Sequence, residues 1–261
     1  MNTAIPQHQG APATVLITGA SSGIGEALAL AYARPGANLA LSGRQQDRLE
    51  AVADACRAKG ATVWSEVVDV ANAEAMRKWI LDVDARTPID LIVANAGISS
   101  GTSGAPDDEA RFRSLFAVNV NGVLNTILPI MPRLRERKRG QIALVSSIAG
   151  YRGIAGASAY CGTKAAVKVM GEGLRLELAP FGVRASVICP GYVVSRMTGV
   201  NTFPMPFIMS AEKAASIIVR GLRKNRGRIT FPWPMAFAVW LLSAIPPSWI
   251  DPILARLPRK P

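Results

Sequence analysis

The sequence predicts an α/β fold, a doubly wound parallel sheet in three layers (α/β/α), from three observations. Short apolar runs alternate with helical patterns along most of the chain. A glycine-rich turn joins the first run to the first helix. No repeat or low-complexity linker interrupts the pattern, so one domain carries it.

Residues 14–18 are a short apolar run, a strand ahead of the glycines, and 24–33 carry apolar positions at helical spacing. Residues 39–42 are the next strand, 45–59 a polar helix, 62–68 a third strand and 73–85 a helix. Residues 89–94 form a fourth strand. Residues 109–137 form a long helix, interrupted at Pro129 and Pro132, which cannot continue the backbone ladder. A fifth strand (141–145), a helix (159–179) and a sixth strand (184–188) follow. Right-handed crossovers between such strands cover both faces of a parallel sheet. Residues 1–13 read as a flexible polar tail, 14–232 as the domain, and 233–261 as an apolar extension rich in Pro and Trp.

Composition removes several functions. A chain of 261 residues, 49% hydrophobic, can bury a large core as a soluble protein. Its only histidine, His8, lies in the tail, which argues against Ser-His-Asp hydrolysis and His-rich metal sites. Cys56, Cys161 and Cys189 are odd in number and lack C-x-x-C spacing. Reduced thiols in the cytoplasm are expected, without zinc. The opening residues show no basic-then-apolar pattern, so no signal peptide is expected. The +12 formal charge concentrates at residues 133–139 and 220–228. Both clusters suit helix ends, where cations complement the dipole, or a surface for an acidic partner. Arginines without interleaved aromatics argue against nucleic-acid binding.

Two stretches carry chemistry. In Ser158-Ala-Tyr-Cys-Gly-Thr-Lys164, Tyr160 and Lys164 stand four apart and share one helix face. A phenol titrates near ~10, and an ammonium one turn away favours the phenolate. In Thr18-Gly-Ala-Ser-Ser-Gly-Ile-Gly25, glycines after a strand bring backbone N–H groups and a helix N-terminus to bear on phosphate. No Gly-Lys-Ser/Thr follows, so this is not a Walker loop.

The spacing Gly19, Gly23, Gly25 resembles the T-G-x-x-x-G-x-G of the short-chain dehydrogenase/reductase family. The family's other motifs appear in order. They are Asn95-Ala-Gly97, Asn119 in Asn-Val-Asn-Gly, Ser146-Ser147, Tyr160 with Lys164, and Pro190-Gly191. The resemblance covers roughly residues 15–197 and implies a Rossmann-type fold and an NAD(P)(H)-dependent oxidoreductase. By similarity, Tyr160 is the catalytic acid/base, lowered in pKa by Lys164 and by the positive nicotinamide. Ser147 hydrogen-bonds the substrate oxygen, and Lys164 also holds the ribose hydroxyls. Asn119 fixes a water linking Lys164 to solvent. Hydride passes between the nicotinamide and a carbonyl carbon, with no metal required. The resemblance places Gly19, Ser21, Ser22, Gly23, Ile24 and Gly25 at the phosphates. Asp69 lies at the adenine and is also a candidate cap for the next helix, and Val70 beside it is a further cofactor-binding position. Asn95 packs the sheet centre and borders the adenine-ribose, Ser195 lies at the carboxamide, and Ala96, Gly97, Pro190, Gly191 and Val193 are further cofactor-binding positions. Ser195 stands where the family usually has Thr.

The second strand ends in Leu41-Ser-Gly-Arg44, without an acid until Asp47. Arg44 suits a 2′-phosphate, so NADP(H) is preferred and NAD(H) is less favoured. Residues 192–209 are rich in Val, Met, Phe and Pro, which points to a hydrophobic carbonyl or alcohol substrate, lipid-, steroid- or aromatic-like. Two other functions stay open: reduction of a 3-oxoacyl group on an acidic carrier docked at residues 133–139, and a non-catalytic NADP-binding sensor or scaffold. The resemblance also implies a homodimer or homotetramer through helices near residues 113–134 and 159–179.

Residues 229–250 contain no charge and carry Trp233, Trp240 and Trp249, with prolines at 232, 234, 246 and 247. The apolar part is too short for the ~20 residues of a membrane span. Apolar residues lie all round its helical wheel, so it needs a cover: the substrate cleft, another subunit or a membrane surface. Burial against protein is preferred, because the prolines break a long amphipathic helix. Arg226, Arg228, Arg256, Arg259 and Lys260 would suit peripheral contact with anionic lipid.

Overall fold

Strand β1 (Thr14–Thr18) lies in the interior of the sheet, and Thr-Val-Leu-Ile-Thr buries every residue. On one side follow β2 (Asn38–Gly43) and β3 (Thr62–Val67). On the other lie β4 (Leu91–Ala94), β5 (Gln141–Val145), β6 (Arg184–Pro190) and β7 (Arg228–Phe231). All pair in parallel, in the order β3-β2-β1-β4-β5-β6-β7. This computed structural model describes residues 11–99, 109–201, 203–246 and 248–249. Chain direction across the sheet reverses between β1 and β4, which opens a crevice at the carboxyl ends of the strands.

Alternate residues of each strand feed two cores. Val15, Ile17, Leu39, Leu41 and Val93 face α1 (Gly23–Tyr32), α2 (Gln46–Ala58) and α9 (Ala211–Arg223). Leu16, Ala40, Ile92, Ile142 and Leu144 face α3 (Ala73–Arg86) and the helices described next.

The helix expected over residues 109–137 forms in pieces: α4 (Glu109–Phe116), a π-helical turn (Ala117–Asn121), α5 (Gly122–Ile127) and α6 (Met131–Arg137). Pro129 falls in the gap, as its missing N–H requires; Pro132 opens α6 and breaks nothing. This 29-residue stretch is apolar and long enough to cross a membrane, yet half of its apolar window is buried in the fold. Next come α7 (Ser158–Leu178) and the short α8 (Arg196–Gly199).

Strand four starts at Leu91 rather than Ile89. The Ile89 amide bonds Asp84 (3.0 Å), and the Asp90 carboxylate accepts from Ala13 and Thr14 instead. The seventh strand was not expected, being four residues closed in by Gly227 and Pro232.

The first basic cluster has local uses. Arg133 and Arg137 reach the buried Asp84 at 3.0 and 2.8 Å. Burial opposes ionisation of Asp84, but the Ile89 amide, Arg137 and Arg133 together hold its carboxyl below the usual range. Arg139 pairs with Asp90, and Arg135 lies over the Phe181 ring. Arg135 and Arg137 also occupy the last turn of α6, and Arg220 and Arg223 that of α9.

The last helix, α10 (Trp233–Ala244), runs unbroken for twelve residues. The expectation that prolines break it fails, because Pro232 is its N-cap and Pro234 lies in its first turn. Met235, Ala236, Val239 and Leu242 are half-buried against the domain, and no residue of α10 is fully buried. Residues 1–10 and 250–261 of the expected tail and extension lie outside the described residues.

Candidate active site

The turn between β1 and α1 is a cradle built by missing side chains. Gly19 and Gly23 adopt positive φ (66° and 58°), a region open to glycine. A Cβ on Gly19 would lie 2.8 Å from the Ala96 Cα, and one on Gly25 2.6 Å from the Asn95 Nδ2. Ser22 is the N-cap of α1 but makes no side-chain capping bond. Ile24 and Gly25 continue the first turn. Ser21 faces Gly43 at the end of β2, and the Ala20 amide bonds the Ser42 carbonyl at 2.8 Å. A bare helix N-terminus behind a floor without Cβ atoms fits a dinucleotide's phosphates.

Asn95 locks this floor to the sheet. Its Nδ2 donates to the carbonyls of Thr18 (2.9 Å) and Gly19 (3.1 Å), while the Thr18 hydroxyl accepts from the amides of Asn95 and Ala96. Two residues on, a Cβ at Gly97 would lie 3.1 Å from Asn119 Oδ1 and 3.4 Å from Lys164 Nζ. The two side chains therefore converge on Gly97.

Asn119 sits fully buried in the π turn, a distortion often found at functional sites. Its Oδ1 accepts from the Ile98 amide (2.8 Å), and its Nδ2 donates to the Ile98 carbonyl and to Thr163 Oγ1. Thr163 in turn donates to the Tyr160 carbonyl at 2.7 Å. The loop after β4 and the helix that carries Tyr160 are thus tied through one amide.

Ser147 follows β5. Its Oγ accepts from the Ala149 amide (3.1 Å) and donates to the Pro190 carbonyl at 3.4 Å. Tyr160 and Lys164 come from the first two turns of α7, as the four-residue spacing requires. Lys164 is buried, with Nζ donating to the Val145 carbonyl at 3.1 Å and 5.8 Å from the centre of the Tyr160 ring. The Ser146 hydroxyl bonds the Lys164 carbonyl (2.7 Å), seating α7 on the end of β5.

The expected lowering of the Tyr160 pKa does not occur in the protein alone. Burial pushes the phenol up to about 12, and the neighbouring Ser147 hydroxyl recovers part of that. Burial also lowers Lys164 to about 8, because an ammonium loses its hydration there. Both groups are shifted toward their neutral forms.

Asp69 is exposed, and its carboxylate accepts from the Ala71 amide at 2.9 Å. It does not cap the next helix. Asn72 does, accepting from the Ala75 amide. Val70 is buried, its carbonyl held by Asn125. Arg44 is exposed at the end of β2, and among the described residues it makes no ion pair. Gly191 donates to the Phe231 carbonyl (2.7 Å), Val193 bridges to Met209, and Ser195 caps α8 in a capping box with Thr198. A Cβ on Gly23 would stand 3.0 Å from the Ser195 Cβ, so Ser195 overhangs the phosphate turn.

Sequence reasoning missed three participants. Thr18 and Thr163 organise the asparagines, and only their motif context marked them. Tyr192 stands near Tyr160, whose ionisation it opposes, and meets Phe203 edge-on at 6.1 Å between ring centres. Its place directly after Pro190-Gly191 was the available signal.

A phosphate cradle at the carboxyl edge of a parallel sheet, beside a Ser, Tyr and Lys set, defines a nucleotide-dependent oxidoreductase. Residues 13–203 match the family profile described as short chain dehydrogenase. An uncharacterized oxidoreductase of Myxococcus xanthus (strain DK1622) is 38% identical over 245 residues, covering 94% of this chain and 97% of that protein. A short-chain dehydrogenase from Sphingobium yanoikuyae, solved with NADPH, superposes with TM-score 0.78 at 24% identity, covering 94% of this chain and 96% of that one. One from Mycobacterium paratuberculosis, solved with NAD, gives TM-score 0.72 at 26% identity, covering 83% and 95%. The chain belongs to the short-chain dehydrogenase family.

Proposed function

We propose that the chain is an NADP(H)-dependent reductase of hydrophobic aldehydes or ketones, or the corresponding alcohol dehydrogenase. The carrying observation is the convergence of Ser147, Tyr160, Lys164 and Asn119 beside the glycine cradle. When bound, the nicotinamide donates or accepts the hydride. The Tyr160 hydroxyl gives its proton to the substrate oxygen in reduction and takes it back in oxidation. Ser147, holding only a long bond to Pro190, donates to the same oxygen as charge develops. Lys164 offers its remaining protons to the ribose hydroxyls and favours the Tyr160 phenolate. Asn119 keeps one acceptor site on Oδ1 for a water leading from Lys164 to solvent.

Exposed Val194, Val200, Phe207 and Ile208 around Tyr192 and Phe203 support an apolar substrate. The arginines of residues 133–139 are engaged with Asp84, Asp90 and Phe181, which weakens the case for carrier docking. Exposed Phe112, Phe116 and Leu128, with Val169 and Leu176 of α7, support assembly into a dimer or tetramer. NADPH oxidation across carbonyls of increasing apolar size tests the reading: the rate constant should climb with chain length or ring count. A flat, near-zero response despite NADPH binding would favour a carrier-linked substrate or a non-catalytic role.

NADP preference rests on Arg44, an uncommitted guanidinium where other chains place an acid. Arg44→Ala should raise the NADPH KM roughly 10- to 100-fold, the worth of a hydrogen-bonded charge, and leave NADH nearly unchanged. Equal weakening of both cofactors would refute the preference.

A further inference from the structure

We propose that the outward face of α10 docks on an anionic lipid bilayer. Trp233, Phe237, Trp240 and Leu241 recur at i, i+4, i+7 and i+8, a single stripe, and are 78%, 58%, 55% and 48% exposed. Trp249, beyond the helix, is exposed as well, and the rings of Phe237 and Trp240 lie 6.0 Å apart. Half-buried Met235, Val239 and Leu242 hold the opposite side to the domain. The helix is therefore apolar all round, with one side covered and one open.

Charge selects the cover. Arg226 and Arg228 line a groove of about 360 Å³ together with Phe237 and Trp240. Arg228 is paired with Glu172, so among the described residues Arg226 gives the rim its uncompensated positive charge. Residues 229–250 contain no acid, and Arg256, Arg259 and Lys260 follow against the single Asp251. A second copy of this +12 chain would bring like charge to that rim, whereas an anionic headgroup layer is attracted to it. Tryptophan, with an apolar body and an N–H donor, suits the depth between headgroups and acyl chains.

The stripe sits at the edge of the sheet that carries the site. Helix α10 starts directly after β7, whose Phe231 carbonyl is bonded by Gly191. Arg152, five residues after Ser147, donates to the carbonyls of Leu242 and Ile245 at the other end of α10, both at 2.8 Å. Lipid docked on α10 would meet the molecule beside Ser147 and Gly191. The inference rests on exposure and charge and stands without the enzymatic reading.

Full-length protein is mixed at low salt with phosphatidylcholine vesicles containing about 30% phosphatidylglycerol, and with pure phosphatidylcholine. Sedimentation and quenching of tryptophan fluorescence by brominated acyl chains are read. Binding with quenching is expected on the anionic vesicles and should be about tenfold weaker on the neutral ones. Trp233→Gln with Trp240→Gln should weaken it about tenfold, and Arg226→Gln roughly fivefold. These exposed positions should leave the thermal midpoint and NADPH affinity unchanged. No binding to anionic vesicles overturns the proposal. So does binding that the tryptophan pair does not alter, which would be adsorption through another basic patch. A dimer that the same pair dissociates, with no lipid binding, would instead assign the stripe to a second copy.

Discussion

Tyr160→Phe is expected to lower turnover about 10²–10⁴-fold, the usual worth of a positioned acid/base group, with nucleotide affinity and stability nearly unchanged. The phenyl ring stays in place on α7, and only the hydroxyl beside Ser147 is lost. At about 1.4 kcal/mol per tenfold, this removes roughly 3–5 kcal/mol of transition-state stabilisation. Steady-state kinetics with a fluorescence titration of NADPH separates the two effects. Loss of turnover with retained affinity is the expected pattern; turnover within tenfold of the parent would remove Tyr160 from the chemistry. The pH profile adds an independent reading. In the protein alone burial holds the phenol up to about 12. A working base near neutral pH requires the Lys164 charge and the oxidised nicotinamide to bring it down. The limb on which alcohol oxidation rises with pH, as the phenol ionises, should therefore lie well below 12 and vanish in the variant.

How much of this was legible in the sequence depended on whether the signal was local. The central strands could be read because burial on both faces demands continuous apolar runs, as in Val15, Leu16 and Ile17. The glycines could be read because the backbone must approach closely, and Gly19 and Gly25 do so against Ala96 and Asn95. Tyr160 and Lys164 could be read because four residues make one helical turn. The set as a whole was legible only through joint motif spacing, since no local rule brings Asn119 beside Gly97.

What stayed hidden depended on tertiary environment. The upward shift of Tyr160 arises from desolvation, and a spacing argument sees the neighbouring charge and not the lost water. The arginines of residues 133–139 looked like a surface feature, although Asp84, fifty residues earlier, anchors two of them. The edge strand Arg228–Phe231 is set by pairing with β6 more than by its own four residues. Prolines 232 and 234 looked like breakers of α10, yet they stand at its N-terminus, where a missing N–H costs nothing.

Lys164→Met should separate function from stability. Turnover should fall about 10²–10³-fold, the range for a lost preorganised charge at the reacting centre. NADPH affinity should fall too, since Lys164 is the residue expected at the ribose. Stability should move the other way. The ammonium is buried, and its folded pKa of about 8 lies below the ordinary 10.5. Below pH 8 both folded and unfolded chains carry the charge, and the folded state bears the full cost of burying it, roughly 3 kcal/mol. The bond to Val145 returns about 1 kcal/mol, so Met should stabilise the fold by roughly 2 kcal/mol at pH 7. Between about pH 8 and 10.5 the unfolded chain binds the proton that the folded chain has released, so parental stability rises relative to the variant. Urea unfolding of both proteins across this window measures the difference, which should narrow as pH rises. A variant less stable than the parent at pH 7, by a margin independent of pH, would mean that the buried ammonium is well compensated. Lys164 would then serve the fold as much as the chemistry.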